Sequence, residues 1–201
     1  MTRHTALGLF SALIAVFTSL GAAAQWDPQN AQWGKTETTD VRVMTWNVRD
    51  SICRTENKTS PNGNWAGIAR IIAAIQPDIL ILQECGDNSG NGTGGGVDSV
   101  NNLTTVVNLL FDGGSDPFNG GTVTEYVQLY RPGYSLDHVF VSESSDGFNR
   151  NVIVSRWPYN DINGNGTSTT SDFSIQSRAT GVPGGPGGIR GFQFAEINLP
   201  N

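Results

Sequence analysis

The sequence of 201 residues has few cysteines, few basic residues and little charge of either sign. Its two cysteines are too few for a Cys-rich zinc site or a dense disulfide framework. Twelve Lys and Arg stand against 18 Asp and Glu, a formal net charge of −6, which excludes a basic nucleic-acid-binding surface. With 37% apolar residues the chain is too apolar for a disordered protein, and its length suits one domain or at most two.

Only one long apolar run occurs, and it lies at the N-terminus. It extends from Ala6 to Leu20 and is followed by the small residues Gly21 to Ala24. This length suits a secretory signal peptide better than a membrane span of about 20 residues. We expect residues 1–24 to be removed and the mature chain to be secreted or periplasmic, without a transmembrane segment. An uncleaved anchor is the alternative, and the polar residues 25–40 are predicted to be a leader or linker.

A strand–helix–strand unit is predicted for the first half of the mature chain. Residues 41–48 and 79–84 are apolar runs typical of buried strands. Between them Asn64 is a candidate N-cap, and Pro77 ends the helical pattern. The predicted helix has one apolar face, formed by Trp65, Ile68, Ile71, Ile72 and Ile75. A helical crossover of this length predicts that the two strands are parallel.

The rest of the chain is predicted to add one helix and then mostly antiparallel strands. The helical pattern extends from Val100 to Leu110, with Gly113 beyond its end. The predicted strands cover residues 122–130, 134–142, 150–156 and 191–199. The fold class is therefore α/β of the α+β type, formed by residues 41–201.

Two polar residues stand at the carboxyl ends of the predicted parallel strands, Asn47 on the first and Glu84 on the second. Ligands of open α/β sheets bind at such ends. A carboxylate emerging from an apolar strand costs several kcal/mol if it is buried unpaired, and a hard cation such as Mg²⁺ would satisfy it. The alternative is an ordinary carboxylate facing solvent.

Four segments resemble motifs of the endonuclease/exonuclease/phosphatase superfamily, which has the DNase I-like fold, and they occur in the family's order. They are Val43–Val48 (VMTWNV), Gln76–Glu84 (QPDILILQE), Asn151–Pro158 (NVIVSRWP) and Arg190–Glu196 (RGFQFAE). The resemblance implies a two-sheet sandwich with flanking helices and a metal-assisted hydrolysis of phosphoesters. It implies Mg²⁺ or Mn²⁺ as the cofactor.

The same resemblance assigns roles to individual residues. Glu84 would bind the metal, and Asn47 would position the phosphate or the attacking water. Asn151 and Arg190 are candidate phosphate contacts, whereas Arg156 and Trp157 would form a structural turn. The first substrate suggested is a phosphodiester in nucleic acid, with sphingomyelin-like lipids and inositol phosphates as alternatives within the family.

The 201 residues do not contain the family's later motifs, which are a strand ending in His, an Asp-x-Asn pair and a terminal Ser-Asp-His-like segment. We therefore expect a chain that is incomplete at its C-terminus and nearly inactive as written. His138 precedes the third motif and is expected to be a structural or surface histidine. The alternative function is a non-catalytic exported module that binds calcium.

A candidate calcium loop follows the third motif. Asp161, Asn163, Asn165 and Asp172 fall at positions 1, 3, 5 and 12 of a twelve-residue loop, with Gly166 at position 6. The alternative is a surface loop rich in Asn and Gly, in which such residues supply turns.

The two cysteines follow the predicted parallel strands at the same end. Cys53 comes after the first strand, and Cys85 directly follows Glu84. In an exported protein this placement predicts a disulfide, and two free thiols are the alternative.

Overall fold

The computed structural model describes residues 26–27, 32–35, 37, 39–49, 52, 58–86, 99–143, 145, 149–161, 171–173 and 192–200. These residues form a mixed α/β fold. The strands are β1 Trp26–Asp27, β2 Gln32–Trp33, β3 Val43–Asn47, β4 Ile79–Cys85, β5 Gly114–Ser115, β6 Thr122–Val123, β7 His138–Val141, β8 Arg150–Ser155, β9 Ser171–Phe173 and β10 Phe192–Phe194. The helices are α1 Asn64–Ile75, α2 Val100–Asp112 and α3 Tyr126–Tyr130.

A four-stranded sheet in the order β3-β4-β8-β7 forms the centre of the fold. β3 and β4 are parallel and are joined through α1, which confirms the predicted strand–helix–strand unit. β8 is antiparallel to both β4 and β7. The remaining strands form antiparallel pairs, β1 with β2, β5 with β6, and β9 with β10.

Helix α1 begins one residue earlier than its sequence predicts, because Gly63 and not Asn64 is the N-cap. No side chain caps this end of the helix. At the other end Gln76 adopts a left-handed conformation (φ 50°), and its N–H donates to the carbonyl of Ile72 just before Pro77. The buried face consists of Trp65, Ala66, Ile68, Ala69, Ile72 and Ala73, whereas Ile71 of the predicted face is exposed.

Helix α2 has the predicted position, and both of its ends are well defined. The hydroxyl of Ser99 accepts the N–H of Asn102 at 3.1 Å, which satisfies one of the unpaired donors of the first turn. Gly113 ends the helix with a φ of 63°. A Cβ at Gly113 would lie 2.7 Å from both the nitrogen of Glu125 and the carbonyl oxygen of Val123, so glycine is required there.

The predicted strand over residues 122–130 is wrong, because only Thr122–Val123 is extended and Tyr126–Tyr130 is helical. Tyr126 and Val127 are buried in α3, which contacts both α1 and α2. The rings of Tyr126 and Tyr130 stack with centroids 6.1 Å apart, as residues four apart on a helix do. Burial of this aromatic face against two helices outweighs the local β propensity of the segment.

The other predicted strands are confirmed in shorter form. β7 and β8 fall within the predicted ranges 134–142 and 150–156, and β10 falls within 191–199. Beyond β10, Ile197 forms an isolated bridge with Tyr159. The observed strands are shorter than predicted because they include only residues whose backbone groups form hydrogen bonds with a neighbouring strand.

The two faces of the central sheet have different neighbours. One face packs against the helices in the hydrophobic core, through Met44, Trp46, Leu80, Leu82, Val139, Val141, Val152 and Val154. The opposite face carries apolar residues as well, among them Val43 (56% exposed), Ile81, Phe140 and Ile153. The side-chain amide of Gln193 in β10 donates to the carbonyl of Phe140 at 3.0 Å, so the β9–β10 pair lies beside β7.

The described residues of the segment predicted as a leader contact the rest of the domain. β1 and β2 form a short hairpin, and β2 contacts α1. Lys35 then forms an ion pair with Asp78, with 2.5 Å between Nζ and Oδ2. The predicted signal peptide, residues 1–24, lies outside the described residues. In the described part of the chain, no helix has the length and apolarity needed to cross a membrane.

Candidate functional site

The carboxyl ends of β3 and β4 bring the two predicted site residues to the same edge of the sheet. Asn47 is in register with Gln83, and the next N–H of β3, from Val48, donates to the carbonyl of Gln83 at 2.9 Å. Glu84 is therefore one residue beyond the partner of Asn47 on the neighbouring strand. Adjacent strands lie about 4.8 Å apart, so the backbones of the two residues are close to each other at this edge.

A β-bulge in β4 changes the direction of Glu84. The pairing of β4 with β8 is regular up to Leu82 opposite Val152, and it resumes at Cys85 opposite Arg150. Two residues, Gln83 and Glu84, therefore stand opposite the single residue Asn151. Leu82 and Cys85 are both buried in the hydrophobic core although they are three residues apart, so the alternation shifts within the bulge. Glu84 leaves the helix-facing core as a result and is only half-buried.

The backbone of this edge is strained at two positions. Glu84 has a φ of 54° and Arg49, just beyond β3, has a φ of 46°. The left-handed region costs a residue with a side chain on the order of 1–3 kcal/mol, and such strain concentrates at functional sites. In the part of the chain that is described, one further non-glycine residue has a positive φ, and it is the C-cap Gln76. The strain is thus local to helix capping and to the Asn47–Glu84 edge.

The side chain of Asn47 is exposed and held by its own turn. Its Oδ1 accepts the N–H of Arg49 at 3.0 Å. Among the described residues no hydrogen bond engages its Nδ2. The amide therefore presents an N–H donor group at the edge, in a fixed orientation.

Asn151, the residue opposite the bulge, carries an unsatisfied oxygen. Its Oδ1 is buried and has no hydrogen-bond partner among the described residues. Leaving a buried acceptor unpaired costs about 1–3 kcal/mol, so a ligand that satisfies it is favoured. A cation between Glu84 and Asn151 would do so, because carboxylate and amide oxygens are ligands of hard cations.

A concave surface adjoins Asn47. The cavity has a volume of about 410 Å³ between the end of β3 and the first turns of α1, and its lining includes Trp46, Asn62, Asn64 and Arg70. Arg70 is fixed by a hydrogen bond to the carbonyl of Pro61 at 2.8 Å and by the ring of Tyr130, 5.1 Å away. The amino end of α1 adds a partial positive charge to this wall. The cavity is large enough for a part of a phosphorylated substrate.

The donor set at the edge fits a weakly held hard cation and does not fit zinc. Within the described ranges no three His, Cys, Asp or Glu side chains are grouped so as to hold a metal. One carboxylate, Glu84, and amide oxygens remain. Mg²⁺ is commonly bound by one or two carboxylates and keeps several waters, whereas zinc sites use His and Cys ligands.

Several other candidate residues lie elsewhere. His138 pairs with Ser155, which pairs with Ile79 at the amino end of β4, and its ring lies against Tyr159 at 6.5 Å. It is therefore not brought to Glu84. The side chain of Arg156 lies 3.0 Å from Asp78, in agreement with a structural turn. Arg190 lies outside the described residues.

The calcium loop and the disulfide stay predictions. Asp161 is described, but Asn163 and Asn165 lie outside the described residues. Asp172 is described only through its backbone, which pairs with Gln193. Cys85 is buried, and its predicted partner Cys53 lies outside the described residues.

Sequence reasoning missed three ion pairs, which are formed by two buried carboxylates. Asp78 has no exposed side-chain surface and contacts Lys35 and Arg156. Lys58 and Asp116 are also buried, with 3.3 Å between Nζ and Oδ2. The only signal for Asp78 was a charged residue directly before an apolar strand, and Lys58 and Asp116 are too far apart in the sequence to be paired by any pattern.

A sequence profile of the Endonuclease/Exonuclease/phosphatase family matches residues 44–196. The chain belongs to this family. The matched range begins in β3 and extends past β10, so it includes Asn47, Glu84 and Asn151. Membership places the chain in a superfamily of phosphoesterase and nuclease-type hydrolases.

One solved structure illustrates the family at low similarity. The chain is 19% identical to an endonuclease/exonuclease/phosphatase from Beutenbergia cavernae DSM 12333, with a TM-score of 0.32. The match covers 72% of this chain and 36% of that one, so the chain spans about a third of that protein's length. No curated protein sequence matches the chain significantly.

Proposed function

We propose that this chain is an exported phosphoesterase domain that hydrolyses phosphodiesters with a divalent cation, Mg²⁺ or Mn²⁺, held at Glu84. One observation carries the proposal: the bulge that turns the strained Glu84 toward the edge shared with Asn47 and opposite the unsatisfied Oδ1 of Asn151. Family membership supports the reaction class. The acidic charge of the chain also favours a bound cation, because a phosphate would otherwise meet net negative charge.

Each residue of the edge has a distinct role in the proposal. The carboxylate of Glu84 and Oδ1 of Asn151 bind the cation, and Nδ2 of Asn47 donates to a non-bridging phosphate oxygen. The bound cation supplies Lewis-acid stabilisation of the negative charge that develops on the phosphate. Because the turn at Arg49 fixes Asn47, little reorganisation is needed when the phosphate binds.

The proposed substrate is a phosphodiester of nucleic acid. The cavity beside Asn47 offers one cationic side chain, Arg70, and the chain has more acidic than basic residues. Extended contacts along a nucleic acid depend on many Lys and Arg. We therefore expect substrates that are short or that are bound over only a short stretch. Sphingomyelin-like lipids and inositol phosphates are the competing substrates, and a parallel assay with each separates them.

Export is proposed from the apolar run that ends at Ala24. N-terminal sequencing of the secreted protein is expected to begin at Gln25. A mature protein that still begins at Met1 would refute this part of the proposal.

The decisive experiment compares Glu84→Gln with Glu37→Gln, which makes the same charge change at an exposed position between β2 and β3. Binding of Mn²⁺, followed by electron paramagnetic resonance, is expected to weaken at least tenfold in Glu84→Gln and to be unchanged in Glu37→Gln. Metal binding is the primary readout because no histidine among the described residues lies near Glu84, and a positioned general base is typically worth 10²–10⁴-fold in rate.

Turnover is the second readout. Mg²⁺-dependent cleavage of plasmid DNA by the 201 residues is expected to be slow, and Glu84→Gln is expected to lower it by about 10³-fold, the equivalent of several kcal/mol of charge stabilisation. Equal Mn²⁺ binding in Glu84→Gln and the unchanged protein would contradict the proposal.

A further inference from the structure

The amino end of β4 has the opposite electrostatic character to the Glu84 edge. Three cationic side chains, Lys35, Arg42 and Arg156, lie around Asp78 and the end of α1. Arg131 joins them, because its Nε donates to Oε1 of Gln76 at 3.0 Å. A chain with a net charge of −6 thus concentrates basic side chains at one place.

Two of these cations contact the fold directly. Lys35 forms an ion pair with Asp78, and Nη1 of Arg42 donates to the carbonyls of Ile75, the last residue of α1, and of the C-cap Gln76. Arg42 also offsets the negative end of the helix dipole there. Because Arg42 compensates the negative end of α1, this end of the helix does not repel an anion bound nearby.

The other two cations retain hydrogen-bond donors. Arg131 forms no ion pair among the described residues, and its guanidinium is engaged only through Nε. Arg156 uses Nη1 against Asp78, and its guanidinium lies 5.9 Å from the ring centre of Tyr134. Tyr134 is itself fixed, because its hydroxyl donates to the carbonyl of Pro77 at 2.6 Å. Arg156 is therefore held in place with unused N–H groups.

Both guanidinium groups open into the same cavity. It has a volume of about 480 Å³, and its lining includes Gln76, Arg131, Tyr134, Ser135, Asp137 and Arg156. The forked donors of arginine match the oxygens of a phosphate group in pairs, which a single lysine cannot do. The hydroxyl of Ser135 adds a further donor to the same wall.

One group in the cavity opposes an anion. Asp137 lines the cavity and carries a negative charge. Burial is the larger cause of the raised pKa of Asp112, and the charge of Asp137 is the smaller one. Two guanidinium groups still exceed one carboxylate, so the net charge of the lining favours an anion. Asp137 sets the affinity at a moderate level.

We propose that this cavity is a second binding site, for the phosphate group of a small molecule, and that it is separate from the site at Glu84. β4 has seven residues, so the two sites lie on the order of 20 Å apart along the strand. The inference does not depend on the proposed hydrolysis, because no residue is shared between the sites.

The test is a calorimetric titration of the full chain with inorganic phosphate in the presence of EDTA, which removes the cation from the Glu84 edge. We expect saturable binding of one phosphate per chain. Arg131→Gln should weaken it at least tenfold, the effect of losing hydrogen bonds to a charged ligand. Asp137→Asn should tighten it several-fold, and the matched control Glu143→Gln should leave it within twofold.

The outcomes separate the two sites. Binding that survives Glu84→Gln but is lost in Arg131→Gln supports the second site. Absence of saturation at tens of millimolar phosphate, or loss of binding in Glu84→Gln alone, overturns it. If Arg131→Gln does not fold, as judged by circular dichroism, the tightening in Asp137→Asn decides, and an unchanged affinity in that variant refutes the proposal.

Discussion

The two ends of β4 carry carboxylates in contrasting environments. At the amino end Asp78 is fully buried and contacts Lys35 at 2.5 Å, Arg156 at 3.0 Å and the N–H of Arg42 at 2.8 Å. At the carboxyl end Glu84 is half-buried, has a φ of 54° and stands opposite the unsatisfied oxygen of Asn151. The carboxylate just before β4 is thus fully buried among ion pairs, and the carboxylate near its carboxyl end is half-buried at a backbone position with a positive φ.

This contrast distinguishes a structural carboxylate from a candidate ligand-binding one. A buried charge with several cationic partners contributes to a single folded arrangement, and its removal leaves those partners uncompensated. A buried oxygen without a hydrogen-bond partner costs stability in the free protein, and a cation that binds this oxygen lowers that cost. Stability measurements on matched variants test whether Asp78 stabilises the fold and whether Glu84 does not.

The largest effect is expected at Asp116, which forms an almost fully buried ion pair with Lys58. Asp116→Asn should lower the free energy of unfolding by about 4 kcal/mol, because it removes the carboxylate of a buried ion pair. Urea denaturation of the variant measures the loss. A change below about 1 kcal/mol would mean that the pair contributes little beyond its packing.

A smaller loss is expected for Asp78→Asn, about 2 kcal/mol. Arg156 and Lys35 are 42% and 22% exposed, so water can solvate them after the carboxylate is removed, which it cannot do for Lys58. The matched change at the other end of β4, Glu84→Gln, should cost less than Asp78→Asn, because Glu84 is half-buried whereas Asp78 is fully buried. If Glu84→Gln destabilises the protein as much as Asp78→Asn, the proposed distinction between the two ends fails.

The decrease in the free energy of unfolding at acidic pH should depend on the protonation of Asp116. Burial alone would raise its pKa, but the N–H of Phe118, the side chain of Asn119 and the charge of Lys58 together hold the pKa below its ordinary value. An acid with a depressed pKa stabilises the fold above its unfolded pKa, near 3.9, and this stabilisation is lost as the pH falls through the folded value. Denaturation curves below about pH 4 should therefore show a smaller decline in Asp116→Asn than in the unchanged protein. Parallel declines would contradict the assignment.

The strand–helix–strand unit could be predicted because its determinants are local. Apolar runs, a helical repeat of isoleucines and the stop at Pro77 all lie within the segment that they specify. α3 could not be predicted in this way. The sequence TVTEYVQLY favours a strand locally, and only the contact of Tyr126 and Val127 with α1 and α2 makes the helix preferable.

The candidate site was predicted in its residues but not in its geometry. Resemblance to the family indicated Glu84 and Asn47, and the register of β3 and β4 brings them to one edge. The bulge depends on how β8 pairs with β4, a partner almost 70 residues away along the chain. No periodicity in β4 itself signals the bulge. The same holds for the basic cavity, whose residues follow α1, α3 and β8 and are far apart in the sequence.

A gain in stability is expected in Glu84→Gly. Glycine adopts a φ of 54° without a steric cost, so the strain on the order of 1–3 kcal/mol is relieved, while the greater freedom of glycine in the unfolded chain costs about 0.5–1 kcal/mol. The net expectation is a stabilisation of about 1 kcal/mol, measured by urea denaturation without divalent cations. Glu84→Gln keeps the strain and serves as the control, because both variants remove the carboxylate but only one relaxes the backbone. A Glu84→Gly protein less stable than Glu84→Gln would show that the bulge is held by the contacts of a long side chain, and the contrast between the two ends of β4 would then be one of ligand binding alone.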